Sequence, residues 1–156
     1  MHRTFAKVAI AQPNQWALSF ENNMENIIES IKMAKEKGAS YRLGPELEVC
    51  GYTCEDAFFE PDTVRHCWDV IAKILADPEL TKNILCDVGM PVALNNVLYN
   101  CRVFILNQEV LLIRPKLHLA GGDNYREARW FRPWNVEDGY GTVDFELPES
   151  IRAVKD

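Results

Sequence analysis

The chain has 156 residues, 47% of them hydrophobic, which is enough for one domain with a packed core and excludes disorder as its main character. Seventeen Lys and Arg against 23 Asp and Glu give a net charge of −6 with no basic tail, so nucleic acid and anionic membrane surfaces are poor partners. No run reaches the roughly 18 apolar residues of a membrane span, and the first residues lack the long apolar core of a signal peptide.

In chain order, residues 7–12 (Lys-Val-Ala-Ile-Ala-Gln) form a short apolar run closed by Pro13-Asn14, which predicts a buried first strand. Ser19 is placed to cap a helix over 20–37. Met24, Ile27, Ile28, Ile31 and Ala34 recur there at helical spacing, and Gly38 supplies the stop. A strand over 39–43 follows, making a β-α-β unit, and Gly44-Pro45 ends it so that Glu46 sits just past a strand's C-terminal end. That is where open α/β sheets place their chemistry. In an extended chain Glu46 and Glu48 would share one face and Leu47 and Val49 the other. Spacing alone also suits a solvated edge carrying two surface glutamates.

Pro61-Asp62 starts a second helix with Val64, Trp68, Ile71 and Leu75 on one face, ending near Asp77-Pro78. Residues 83–92 read as another buried strand. Asn95-Asn96 and Asn107-Gln108 turn the chain through strands at 97–106 and 109–114, an antiparallel meander that makes the sheet mixed. Residues 115–134 are polar and aromatic, a loop of about 20 residues, longer than compact domains usually carry without a functional reason. Residues 141–146 suit a strand, and 148–156 begin a helix that the chain end cuts off.

Three ionisable groups stand at strand ends or in the long loop: Glu46, Lys116 and Glu127. Pro115 stiffens the turn before Lys116 and holds its ammonium near the edge of the sheet that carries Glu46. A lysine between two carboxylates can stay charged and stabilise an anionic intermediate, while a carboxylate of raised pKa can act as a general base. Each residue taken singly is an ordinary surface charge.

The five cysteines, Cys50, Cys54, Cys67, Cys86 and Cys101, are odd in number and scattered, which is reduced, intracellular usage rather than a disulfide framework. Cys50 is nearest to Glu46, and an offset of four could put both on one strand face. No cationic neighbour or helix N-terminus would lower its pKa, however, and the structural reading is favoured. Cys86 and Cys101 fall in apolar strands as core residues. His2, His66 and His118 lack metal-ligand spacing, so no metal site is expected, although His118 could line the same mouth as Lys116. No GxGxxG or P-loop is present, and Gly121-Gly122 reads as a flexible turn. Trp16, Trp68, Trp130 and Trp134 are read as core or subunit-contact aromatics.

Several segments taken together go further: Gly-Pro-Glu-Leu-Glu-Val-Cys-Gly-Tyr at 44–52, Cys-Asp-Val-Gly-Met-Pro-Val at 86–92, Arg-Pro-Lys-Leu-His-Leu-Ala at 114–120 and Asn-Tyr-Arg-Glu-Ala-Arg-Trp-Phe at 124–131. With Asn-Gln-Trp-Ala-Leu at 14–18 and Asn-Cys-Arg-Val-Phe-Ile-Leu-Asn at 100–107, the set resembles the nitrilase, or carbon-nitrogen hydrolase, superfamily. Within it, the resemblance is to the amino-terminal glutaminase domains of eukaryotic glutamine-dependent NAD+ synthetases. The resemblance implies an α/β fold, part of an α-β-β-α sandwich with a mixed sheet, and residues 1–156 as a single partial domain whose C-terminal portion is missing.

It further implies a Glu, Lys and Cys triad in which Glu46 matches the general base, Lys116 the lysine that supports the oxyanion, and Glu127 a second glutamate that holds the lysine. The family's nucleophilic cysteine lies downstream of the lysine, after a further strand, so this chain is expected to stop before it and to be inactive alone. Glutamine is then the expected substrate of the complete enzyme. No cofactor is expected in this chain, since ATP and deamido-NAD would bind the absent synthetase domain. A cytoplasmic location, and a homo-oligomer when complete, are implied as well. Two other readings stay open on the sequence: a catalytically dead binding or assembly module, and a stand-alone amidase with another substrate.

Overall fold

The computed structural model describes residues 6–135 and 141–155. A five-stranded sheet has the order β1 (Val8–Ile10), β2 (Tyr41–Leu43), β3 (Leu85–Leu94), β4 (Val97–Leu106), β5 (Glu109–Pro115). The first three strands run parallel and the last three form an antiparallel meander, so the sheet is mixed as the turn residues imply. At each hairpin the two turn residues have positive φ, 51° and 62° at Asn95 and Asn96, 50° and 63° at Asn107 and Gln108. Both signs match the tight turns that follow the right-handed twist of paired strands.

Helix α1 (Phe20–Glu36) joins β1 to β2, and α2 (Pro61–Ala76) precedes β3. In the antiparallel pairing of β3 with β4, side chains alternate between faces. Cys86, Val88, Met90 and Val92 form one core with Ile27 and Ile31 of α1 and Trp68, Ile71, Ile74 and Leu75 of α2. Asp87, Gly89 and Pro91 face the other way, toward the residues that build the site.

The structure corrects several expectations. The first strand is short and lies at the sheet's edge, with Val8 and Ile10 exposed, so the apolar run at 7–12 is not buried. Ser19 stands at the N-cap but its side chain makes no capping bond; its hydroxyl accepts from Asn22 Nδ2 at 2.9 Å. Residues 44–50 are not extended. Leu47 takes a φ of 51°, and the chain turns there, so Glu46 and Glu48 diverge and the two-sided alternation fails. The stretch at 115–134 is not one long loop: it contains a hairpin of β6 (Gly121–Gly122) and β7 (Tyr125–Arg126) followed by a one-turn helix α3 (Glu127–Trp130). Gly121 and Gly122 therefore lie in a strand rather than a turn.

Residues 141–146 form no strand; Phe145 instead stacks on Trp68, ring centroids 5.9 Å apart. The expected C-terminal helix is confined to α4 (Glu149–Arg152) and a 3-10 turn at Ala153–Lys155, and residue 156 lies outside the described residues, as does His2. Among the four tryptophans, Trp68 is core while Trp16 is largely exposed. Among the described residues, no helix is long and apolar enough to cross a membrane.

Candidate functional site

Glu46, Lys116 and Glu127 meet in one cluster. The Lys116 ammonium donates to Glu46 Oε1 at 2.6 Å and to Glu127 Oε1 at 3.0 Å, and lies 2.9 Å from Glu127 Oε2. Each carboxylate reaches the lysine from a different element: Glu46 from the turn after β2, Glu127 from the first residue of α3. Lys116 follows directly on β5, where its backbone N–H donates to Asn100 O of β4 at 2.8 Å and its carbonyl accepts from Trp134 N at 2.9 Å. Both ends of the lysine's peptide unit are thus tied to the scaffold.

Exposure grades across the cluster. The Glu127 side chain is 2% exposed, Lys116 28% and Glu46 37%, so Glu127 is the inner partner and Glu46 the one a ligand can reach. Burial alone would push the Glu127 carboxyl up, but hydrogen bonds from Tyr52 Oη at 2.6 Å, from the Ala120 N–H at 2.8 Å and from Lys116 outweigh it and hold the carboxyl below its ordinary value. Burial would likewise lower the Lys116 ammonium, and the two carboxylates outweigh it and raise it. The lysine is a fixed cation. Tyr52 is pushed up by burial and by the Glu127 carboxylate it serves, so it remains a donor.

The turn that carries Glu46 is built by residues that sequence spacing did not single out. Arg42, in the middle of β2, points inward and forms a bidentate pair with Glu48, both N···O distances 2.8 Å and both side chains fully buried. Ser30 Oγ of α1 accepts two further bonds from the same guanidinium. Burial pushes the Glu48 carboxyl up, against the opposing effect of Arg42. Glu48 is thus part of the frame, and the expectation of two surface glutamates is overturned by its complete burial. The only sequence signal was an arginine inside an otherwise apolar strand. Asn100 donates to Glu46 Oε1 from β4, and Asn23 of α1, also buried, ties Trp16 and the Val49 carbonyl to the same turn.

None of the five cysteines is placed as a partner for Glu46. All are buried and unpaired in disulfides. The turn at Leu47 takes Cys50 away from the face of Glu46, and its thiol donates to the carbonyls of Leu47 and Gly51. A hydrogen bond with Cys54 favours the Cys50 thiolate, but a bond to Cys67 and burial prevail and leave the thiol well above its ordinary pKa. Burial pushes Cys86 up to about 12 and raises Cys101 too. Limiting alkylation of the folded chain near neutral pH is therefore expected to show no preference for Cys50, because the nucleophile is the thiolate. Selective labelling of Cys50 that vanished in Glu46→Gln would make it a nucleophile after all.

His118 is exposed, and no group of three or more His, Cys, Asp or Glu among the described residues could hold a metal ion. An open apolar cleft runs between β5 and residues 141–147, lined by Leu112, Trp134 and Phe145 among others, and contains none of the three clustered groups. Chemistry rather than concavity marks the site.

Residues 7–152 match the carbon-nitrogen hydrolase family. The chain is 62% identical over 127 residues to a glutamine-dependent NAD(+) synthetase of Dictyostelium discoideum, covering 81% of this chain and 18% of that protein. To the human protein of the same name it is 52% identical over 145 residues, covering 93% of this chain and 20% of that one. Among solved structures, a glutamine-dependent NAD(+) synthetase from Cytophaga hutchinsonii superposes with a TM-score of 0.77 at 30% identity, covering 82% of this chain and 22% of that one. The chain thus spans about a fifth of the length of these relatives. With the match running through every element that builds the Glu46, Lys116 and Glu127 cluster, the chain belongs to the carbon-nitrogen hydrolase family.

Proposed function

We propose that this chain is the glutaminase portion of a glutamine-dependent NAD+ synthetase, supplying ammonia for the amidation of deamido-NAD. The observation that carries the reading is the single lysine ammonium bonded to two carboxylates of unequal exposure, in a chain similar to synthetases of that name. Glu46, the exposed carboxylate, serves as the base that takes a thiol proton as the sulfur attacks the glutamine amide carbon, then delivers it to the departing ammonia. Water, activated by the same carboxylate, releases glutamate from the acyl-enzyme. Lys116, held charged by Glu127, stabilises the oxyanion at both stages. The thiol must come from outside the five cysteines seen here, whose burial and raised pKa values suit the core. ATP and deamido-NAD would bind elsewhere in the synthetase, which would act as a cytoplasmic homo-oligomer.

The experiment compares ammonia release from glutamine by residues 1–156 with release by a form extended through the family's downstream cysteine. Only the extended form is expected to turn over, and changing its added cysteine should abolish the activity. Without the nucleophile, hydrolases of this logic keep on the order of 10³ to 10⁴ over water, too little to detect on so inert an amide. Turnover by residues 1–156 that disappears in Glu46→Gln would refute the reading. An extended form silent on glutamine but active on other amides would make the chain an amidase, and one silent on all amides an assembly module.

A further inference from the structure

Two residues before Glu46 the backbone is gripped from β4, which lies beyond β3 from the end of β2. Arg102 of β4 donates through Nη2 to the Gly44 carbonyl and through Nη1 to the Pro45 carbonyl, both at 2.8 Å. Its Nε donates to Asp87 Oδ1 at 2.6 Å, and Nη2 also reaches the Asp87 carbonyl at 3.1 Å. Asp87 is itself fixed, its other oxygen accepting from Tyr41 Oη at 2.5 Å and its side chain only 5% exposed. Gly89, opposite Arg102 in the β3–β4 pairing, leaves the room: a Cβ there would lie 2.5 Å from the Pro45 oxygen and 2.6 Å from the Leu47 nitrogen. The planar fork of a guanidinium, with donors on three separate nitrogens, suits two adjacent carbonyls and a carboxylate at once, a geometry that the single nitrogen of an ammonium does not match.

We infer that Arg102 is a positioning residue for Glu46. It fixes the Gly44-Pro45 peptide so that Glu46 Oε1 meets the Lys116 ammonium. A turn containing a non-glycine residue at positive φ, here Leu47, persists only where its surroundings over-determine it, and Arg102 supplies two of the bonds that do so. Asn100, two residues earlier on the same face of β4, completes the arrangement by donating to Glu46 Oε1 itself. With Asn100 and Lys116 both directed at Oε1, Oε2 is left as the oxygen that takes the proton. For catalysis this inference rests on the glutaminase reading, while the geometry it describes belongs to this chain alone.

In the extended, glutamine-hydrolysing form, Arg102→Lys is expected to lower kcat on the order of 10²-fold, the effect of displacing a reacting group by about 1 Å, and to leave KM within about twofold. Arg102→Ala should lose at least as much and regain part of it when guanidinium ion is added. In residues 1–156 alone, NMR should show faster proton exchange of the Lys116 ammonium in Arg102→Lys, while the Ala120 amide, which donates to Glu127, keeps its protection. Wild-type kcat in both variants would overturn the inference. So would equal loss of protection at Lys116 and Ala120, since that would make Arg102 a plain structural staple. Should the extended wild type fail on glutamine, the functional reading falls, and the Lys116 exchange still decides the role of Arg102.

Discussion

Replacing Lys116 by methionine is expected to lower glutamine hydrolysis by the extended form on the order of 10² to 10³-fold, the usual loss when a donor to a developing oxyanion is removed. The effect on the fold is equally specific. In the wild type the Glu127 carboxyl is held low by Tyr52, the Ala120 N–H and Lys116, so its contribution to stability is present above the ordinary carboxylate pKa of about 4.3 and lost as pH falls through its depressed value. The raised Lys116 contributes below its ordinary pKa of about 10.4, and that contribution is lost as pH rises through the raised value. Between about pH 5 and 10 the cluster therefore adds a constant amount of stability.

In Lys116→Met the Glu127 carboxyl keeps its bonds from Tyr52 and the Ala120 N–H but loses its cation, so its pKa rises relative to the wild type. The variant should therefore lose less stability than the wild type as pH falls from about 5 to about 3. Thermal melts of residues 1–156 across that range check it. Parallel curves for the two proteins would mean that Lys116 does not hold Glu127 ionised.

Arg42→Met should destabilise the fold by about 3–5 kcal/mol, because it leaves the Glu48 carboxylate buried without a cation. The double variant Arg42→Met, Glu48→Leu should recover most of that loss, since well-packed apolar side chains of similar volume replace buried pairs at little cost. Denaturant unfolding of the two variants against wild type measures both. A single variant within about 1 kcal/mol of wild type would show that Glu48 is hydrated or protonated at no cost, contrary to its full burial. Glu46 should tolerate the same exchange to an apolar residue far better, being more than a third exposed.

The elements with strong local signals were legible in the sequence. Helical spacing gave α1 and α2 to within a residue of their observed ends, and the Asn-Asn and Asn-Gln turns gave the meander of β3, β4 and β5. These patterns reflect forces acting between residues close in sequence: periodic burial of one face, backbone that tolerates positive φ, and a missing N–H at proline. Glu46, Lys116 and Glu127 could be named in the same way, as ionisable groups beside strand ends and turns, and the resemblance of their flanking segments to a known family suggested the roles proposed for them.

What the sequence could not show was decided between residues 6 to 75 positions apart. Glu48 reads as one half of an alternating surface pair, yet it is buried because Arg42, itself held by Ser30, meets it inside the fold. The apolar run of β1 reads as buried, yet it lies at a sheet edge with two side chains exposed. The long loop became a hairpin and a helical turn whose first residue is anchored by Tyr52, 75 positions earlier. Local sequence determined which residue types stood at the ends of the strands. Tertiary structure decided which carboxylate faced solvent and which faced a guanidinium, because the burial of a charge depends on a partner that only the folded chain brings within about 3 Å.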